Sequence, residues 1–147
     1  MEESTENRAN SGGFFEEYDL IHVYSRADAI GDGMLLDVTT VAREMGFRYP
    51  TAFTHAAWHD CVAWNDADSE RKGIVQDENH RVRHVLARSL IAIRTSRFED
   101  EDRIFFNVVR VPCDGASKEP QAIMLMSVCG PGDTAEPVIT ISFPGED

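Results

Sequence analysis

The stretch TAFTHAAWHDCVAW, residues 51–64, decides how this chain is expected to fold. Read as a helix, it carries apolar residues on nearly every side, which is typical of a helix surrounded by other elements. Pro50 precedes it, and a proline is tolerated at the first turn of a helix because its missing N–H needs no partner there. The stretch is therefore predicted to be the central helix.

Two short helices are predicted on the N-terminal side of this stretch. Ser25 is a favoured N-cap for a helix over residues 26–30, and Asp28 stands at the third helical position, where an acid completes a capping box. A second helix over residues 40–45 ends at Gly46, the residue type favoured just past a helix C-terminus.

The start of the chain is predicted to contribute little to the core. Residues 1–13 are polar and acidic and are interpreted as a disordered tail, so that residues 14–147 form a single domain. An aromatic turn over residues 14–18 and a short strand over residues 20–24 are predicted to follow the tail.

On the C-terminal side, residues 65–73 are polar and rich in turn formers, and are predicted to be a loop. Residues 80–95 are predicted to form the clearest amphipathic helix. One side of it carries Val82, Val85, Leu86, Leu90 and Ile93, and another side carries Arg81, His84 and Arg88.

The sequence period changes after residue 97. Residues 103–111, 121–128 and 137–143 are β-branched or apolar runs of strand length, separated by turn-forming segments. The pattern predicts an α+β protein, in which N-terminal helices pack on a C-terminal antiparallel sheet of three or four strands.

Composition excludes several classes of protein. The chain of 147 residues is 42% hydrophobic with 8 Phe, which is too apolar for a disordered chain, yet its apolar runs are far shorter than the roughly 20 residues of a membrane span. Its N-terminus resembles no secretory signal, and its three cysteines form no CxxC pair. We therefore expect a cytoplasmic protein with neither a disulfide framework nor a zinc ribbon.

The charge balance narrows the class of partner. With 26 acidic and 14 basic residues, the net charge of -12 disfavours direct binding to nucleic acid or to anionic membranes. A protein with a basic surface is the expected partner. The alternative is that the acidity serves solubility alone.

Four histidines have a spacing that metal sites use. His55 and His59 are one helical turn apart, and His80 and His84 repeat this spacing, so two pairs are candidates for a four-histidine site. The first pair lacks the glutamate of a metallopeptidase motif. We expect no metal and no cofactor, and we interpret these histidines as surface residues or as residues satisfied by hydrogen bonds.

The predicted central helix also contains polar and reactive residues. Asp60 is interpreted as one half of a structural ion pair, with an arginine of the later helix as the suggested partner; the alternative is that this side of the helix is partly open. Cys61 is a candidate nucleophile beside the histidines, although a single cysteine in an apolar helix is usually a small core residue. Phe53, Ala57, Cys61 and Trp64 are predicted to be core.

The glycines of Gly130-Pro131-Gly132-Asp133 precede a strand, so they favour a tight hairpin over a phosphate-binding loop. Residues 20–25, a predicted strand that carries His22 and precedes a helix, loosely resemble the first nicotinamide-binding strand of ADP-ribosyltransferases. In that alternative, Glu136 would take the place of the catalytic glutamate of those enzymes.

Four motifs resemble an uncharacterised bacterial domain family found on plasmids, prophages and other mobile elements. These motifs are YDLIHVYSRADAI from residue 18, LDVT from residue 36, WxDCVAW from residue 58 and GPGDxxEPVITI from residue 130. Members of that family commonly carry other residues at the four histidine positions, which lowers the metal interpretation further. Asp60, Cys61 and Trp64 belong to the shared motif.

This resemblance implies an accessory protein of mobile elements that binds a host or phage protein. One such function is inhibition of a nucleic-acid-targeting defence complex by presenting carboxylates in place of phosphates. His22, Arg26, Trp58 and Asp60 are the candidate binding residues. The alternatives are a small enzyme with a pocket near His22 and Arg26, or a structural module that forms a homodimer.

Overall fold

A computed structural model of the chain describes residues 24–96 and 102–146. The predicted tail over residues 1–13 and the aromatic turn over residues 14–18 lie outside these residues. So does the predicted strand with His22, apart from its last residue, Tyr24. None of the helices in the described ranges combines the length and apolar character needed to cross a membrane.

Helices and strands alternate through the first half of the described chain, and strands dominate the second half. The helices are α1 Arg26–Gly31, α2 Thr39–Met45, α3 His55–Cys61, α4 Asp66–Lys72 and α5 Glu78–Ser96. The strands are β1 Leu35–Asp37, β2 Thr51–Thr54, β3 Arg103–Arg110, β4 Gln121–Pro131 and β5 Pro137–Ser142.

The described strands form one sheet in the order β1-β2-β5-β4-β3. Neighbouring strands are antiparallel except for β2 and β5, which are parallel. A mostly antiparallel sheet combined with helices was predicted, and so was the meander from β3 to β5. The prediction of three or four strands is wrong, because β1 and β2 from the N-terminal half join the C-terminal meander through β5.

The prediction of one central helix over residues 51–64 is also wrong. Its first four residues are β2, and α3 begins only at His55. Thr51 and Phe53 on one face of β2 and Ala52 on the other are all buried, so a strand covered on both faces accounts for apolar residues on every side. Thr54 ends the strand and caps the helix, since its side-chain oxygen accepts a hydrogen bond from the Ala57 N–H at 3.2 Å.

Residues 65–73 form a helix, α4, where a loop was predicted. Asn65 and Asp68 make a capping box, in which each side chain accepts a hydrogen bond from the other residue's backbone N–H. Gly73 ends the helix in the left-handed conformation. The polar residues that indicated a loop are therefore the caps and the solvent face of a two-turn helix.

Other local predictions are confirmed. Ser25 and Asp28 form the predicted capping box at the start of α1. Gly46 ends α2 with φ of 113°, a conformation that favours glycine. Residues 80–95 lie within the long helix α5.

The main core lies between one face of the sheet and the helices α2, α3 and α5. Phe53, Ala57 and Cys61 belong to it, and Trp64 lies in a second buried cluster with Val111. All four residues predicted to be core are buried, as expected. Within the core, the hydroxyls of Ser89 on α5 and Ser127 on β4 are hydrogen-bonded at 2.7 Å.

The opposite face of the sheet is partly apolar along β3 and β4. Phe105, Val109 and Met124 are each about half exposed, and the register places Met124 beside Asn107, between the two β3 residues. The homodimer expected as an alternative stays a prediction.

Candidate functional site

Asp60, at the end of α3, forms an ion pair with Arg110, at the end of β3. The Arg110 Nε donates to the Asp60 Oδ1 at 2.6 Å, and the side chains are 10% and 30% exposed, respectively. An ion pair for Asp60 was predicted and is confirmed. Its arginine comes from β3 and not from the later helix, because the end of β3 lies against the end of α3.

Arg81 of α5 lies beside this pair and is only 5% exposed. Its guanidinium donates to the carbonyl oxygens of Val62 and Val111, each at 3.0 Å, and to the Gln76 Oε1 at 2.8 Å. It also lies over the Trp64 ring, 4.8 Å from the centroid. Burial lowers the pKa of Arg81.

Arg81 was predicted to share one side of this helix with His84 and Arg88, and it is the buried member of that set. The backbone carbonyls at the ends of α3 and β3 provide hydrogen-bond acceptors that allow a charged residue to be buried there. His84 and Arg88 are exposed, as predicted.

A cleft of about 460 Å³ opens where α3, α5 and β3 meet. Its lining consists of Cys61, Val75, Gln76, His80, Arg81, His84, Val109 and Arg110. Asp60 neutralises Arg110, whereas no carboxylate of the described residues accepts a hydrogen bond from Arg81. Among the described residues, the lining of the cleft includes the cations Arg81 and Arg110 and no carboxylate, while Asp77 lies against its His80.

Cys61 also lines this cleft, but its properties do not suit a nucleophile: it is 1% exposed, and burial is the largest cause that raises its pKa to about 12. The neighbouring Asp60 carboxylate contributes to this shift, because its charge disfavours the thiolate and it accepts a hydrogen bond from the thiol at 3.5 Å. Cys61 is therefore protonated at neutral pH, which agrees with its interpretation as a core residue.

The two histidine pairs have different neighbours in the structure. The rings of His55 and His59 are stacked with centroids 6.3 Å apart, and the His59 Nε2 lies 3.5 Å from the Asp114 Oδ2. His80 instead contacts Asp77 at 3.0 Å. The structure thus gives His59 and His80 separate carboxylate neighbours.

Sequence reasoning missed Cys113 and Asp114 as neighbours of His59. The Cys113 thiol donates to the backbone carbonyl of His59 at 3.4 Å and lies 3.8 Å from the Asp114 Oδ1. The three side-chain donor atoms all lie within 4.8 Å of one another. An adjacent Cys-Asp pair after a strand was the only local signal, and it did not reveal that the following loop returns to α3.

Basic residues of α4 hold this loop in place. Arg71 donates to the backbone carbonyl of Cys113, and the buried Lys72 donates to the backbone carbonyls of Asp114 and Ser117. The Lys72 side chain has no carboxylate partner in the described ranges, so backbone oxygens alone receive its hydrogen bonds. The loop conformation therefore depends on a helix that the sequence did not predict.

Arg26, another candidate binding residue, joins α1 to the sheet. Its Nη1 donates to the Thr140 Oγ1 at 2.7 Å and its Nη2 to the carbonyl of Ile139 at 3.0 Å. Burial lowers the pKa of Arg26, and the nearby carboxylates Asp37, Asp133 and Glu136 oppose this shift.

The predicted hairpin at Gly130-Pro131-Gly132-Asp133 is confirmed between β4 and β5. Its Asp133 carboxylate accepts hydrogen bonds from the backbone N–H groups of Arg26 at 2.8 Å and Ala27 at 3.0 Å. Two of the sequence motifs that carry the family resemblance therefore meet at the start of α1.

The remaining candidates are Trp58, Glu136 and His22. Trp58 is half-buried and packs edge-on against Phe53, with centroids 5.8 Å apart and planes at 85°. Glu136 is exposed and accepts hydrogen bonds from the backbone and hydroxyl of Thr134. His22 lies outside the described residues.

Comparison with known protein families matches residues 11–147 to one described as "Family of unknown function (DUF6573)". No curated protein and no solved structure matches the chain.

Proposed function

The chain belongs to this family of unknown function, and we propose that it is an acidic accessory protein of mobile genetic elements that binds a protein with a basic surface. The partner class that fits best is a nucleic-acid-targeting defence complex of the host, since its substrate-binding surface must attract phosphates. The protein would inhibit such a complex by placing carboxylates on that surface.

The surplus of exposed carboxylates is the observation that carries this proposal. The described residues include four carboxylates in ion pairs with arginine, at Asp60, Asp68, Asp102 and Glu44. A larger set is exposed and forms no close side-chain salt bridge with an arginine or lysine of the described ranges: Asp32, Asp37, Asp66, Glu70, Glu78, Glu119, Asp133, Glu136 and Glu146.

Three of these carboxylates lie around Arg26: Asp37 at the end of β1, and Asp133 and Glu136 in the turn between β4 and β5. Asp32, which follows the last residue of α1, is a fourth exposed carboxylate beside this helix. We name these four residues the α1 acidic surface. It is the part of the described structure best suited to contact a basic partner.

The distribution of charge along the chain adds a second region. The described residues contain 16 acidic and 12 basic side chains, so residues 1–23, 97–101 and 147 carry most of the net negative charge. Screening by salt would weaken contacts made by either region, because exposed charges interact over about 10 Å at 0.1 M ionic strength.

Affinity capture of the tagged full chain from host extract, repeated at low and high salt, tests the proposal. We expect a nucleic-acid enzyme to be retained at low salt, to be released by salt and to be displaced by DNA or RNA. Capture that is insensitive to salt, or a partner unrelated to nucleic acid, would contradict the proposal.

A matched pair of variants locates the binding surface. Asp32→Asn with Glu136→Gln removes two charges from the α1 acidic surface, whereas Glu70→Gln with Glu119→Gln removes two exposed charges elsewhere. We expect the first pair to weaken capture more than the second. Equal effects would show that net charge alone matters and would refute a defined surface.

The cleft between α3, α5 and β3 supports a second candidate function, the binding of a small anionic ligand. The polar side chains of Gln76, His84 and Arg110 converge on it. Ligand pockets and enzyme active sites commonly have a few such convergent polar groups. Thermal denaturation with inorganic phosphate and with small dicarboxylates tests this function. A rise in Tm that His84→Ala reduces and Arg83→Ala leaves intact would support it, and no rise with any anion would end it.

A further inference from the structure

Three side chains with different donor atoms meet between α3 and the loop after β3. The His59 Nε2 lies 3.5 Å from the Asp114 Oδ2, and the Cys113 Sγ lies 3.8 Å from the Asp114 Oδ1. All three donor atoms lie within 4.8 Å of one another. One imidazole nitrogen, one sulfur and one carboxylate oxygen therefore surround a common point.

These donors and spacings fit Zn²⁺. Zinc binds cysteine sulfur at about 2.3 Å, and histidine nitrogen and carboxylate oxygen at about 2.0–2.2 Å, in tetrahedral geometry. Tetrahedral bonds of those lengths place ligand atoms roughly 3.3–3.6 Å apart. The distances of 3.5 Å and 3.8 Å, which end on the two different oxygens of the Asp114 carboxylate, are close to this spacing. A thiolate and a carboxylate also neutralise the charge of the ion.

The ligand positions are fixed by contacts outside the cluster. His59 is held in α3, and the carbonyls of Cys113 and Asp114 accept hydrogen bonds from Arg71 and Lys72. Such outer contacts orient metal ligands before the ion arrives. His59 and Asp114 are largely exposed on their outer sides, at 56% and 80%, so solvent reaches the donor atoms.

We propose that the His59 Nε2, the Cys113 Sγ and the Asp114 carboxylate bind one Zn²⁺ ion, with water in the fourth coordination position. Binding replaces the thiol proton of Cys113, which passes to solvent, with a Zn–S bond, and the oxidation state of the metal does not change. Three protein ligands with one exchangeable position distinguish this site from a structural zinc ribbon.

Zinc titration of the tag-free full chain against a chromophoric chelator tests the site. We expect one tightly held ion per chain, and an affinity at least about tenfold weaker in His59→Asn and in Cys113→Ser. The matched controls are His55→Asn, one helical turn away, and Cys129→Ser, on β4. Both controls should remain within about threefold of the unmodified chain.

A separate measurement on the unmodified protein guards against variants that fail to fold. Co²⁺ bound by a thiolate in tetrahedral geometry gives a sulfur-to-cobalt charge-transfer band and strong visible absorption. Both features should appear on addition of Co²⁺ and disappear on addition of Zn²⁺. Absence of the charge-transfer band overturns the proposal, and so does a loss of zinc affinity in His55→Asn as large as that in His59→Asn.

Discussion

Replacement of Asp60 by asparagine tests the ion pair at the junction of α3 and β3 most directly. The substitution keeps the shape of the side chain, removes its charge and leaves Arg110 without a carboxylate. Two guanidinium groups, those of Arg110 and Arg81, then face the same cleft without a compensating charge. We expect the folded state to lose stability.

The exposure of the two side chains sets the magnitude of this loss. Opposite charges 4 Å apart attract by about 4 kcal/mol at an effective dielectric constant of 20, before the cost of desolvation is subtracted. Breaking fully buried pairs costs about 3–5 kcal/mol, and exposed pairs contribute about 0.2–1 kcal/mol. With Arg110 at 10% and Asp60 at 30% exposure, Asp60→Asn should cost about 2 kcal/mol.

Urea unfolding at pH 7, followed by tryptophan fluorescence, measures this change. A loss of about 2 kcal/mol should lower the unfolding midpoint without changing the slope of the transition, and should lower Tm by about 4–8 °C. A double-mutant cycle with Arg110→Gln should give a coupling free energy of about 1–2 kcal/mol.

The exposed pair between Arg83 and Glu44 is the matched control. Its nitrogen–oxygen distance is similar, at 2.8 Å, but its side chains are 40% and 57% exposed. Glu44→Gln should therefore change the free energy of unfolding by less than about 0.5 kcal/mol. Equal losses for Asp60→Asn and Glu44→Gln, or a coupling free energy near zero, would refute the assignment of a partly buried, stabilising pair.

Three further predictions follow from the described contacts. Burial raises the pKa of Cys61 to about 12, compared with about 9 in the unfolded state. The contribution of the protonated thiol to stability is therefore complete below the unfolded-state pKa and is lost as the pH rises towards the folded-state pKa. In alkaline unfolding, Cys61→Ala should lose stability less steeply than the unmodified chain, by up to about 1.4 kcal/mol per pH unit. Gly46→Ala should destabilise the fold by about 1–2 kcal/mol in urea unfolding because φ is +113°, whereas Gly31→Ala, whose added Cβ meets open space, should be neutral or stabilising. Ser127→Ala should cost about 1–2 kcal/mol by leaving the buried Ser89 hydroxyl unpaired, and the double alanine variant should recover part of that loss in the same assay.

Short-range signals in the sequence predicted local structure well. The capping box at Ser25, the helix end at Gly46 and the hairpin at Gly130-Pro131-Gly132-Asp133 each depend on neighbouring residues only. The strands of the meander could be predicted for the same reason, since sequential apolar runs separated by turns usually pair with each other.

Residues 51–64 could not be interpreted correctly from periodicity. A strand buried on both faces and a buried helix both show apolar residues on every side, and a run of four residues before a helix is too short to separate the two. The parallel pairing of β2 with β5 makes this segment a strand, and that pairing joins residues far apart in the sequence.

The candidate site was predictable in part. Asp60 was expected to have an arginine partner, but its choice of Arg110 depends on how β3 meets α3. The cluster of His59, Cys113 and Asp114 was not predicted at all, because the loop after β3 is positioned by Lys72 of a helix interpreted as a loop.

The parallel pairing of β2 with β5 also bears on how the chain is synthesised. Thr51 pairs opposite Ile139, so β2 emerges from the ribosome about 88 residues before its partner strand. At a translation rate of about 5–20 residues per second, that strand waits roughly 4–18 seconds with one edge open. Until Ile139 has been synthesised, β1 is the one described strand available to pair with β2, so the second edge of β2 stays open to other strands.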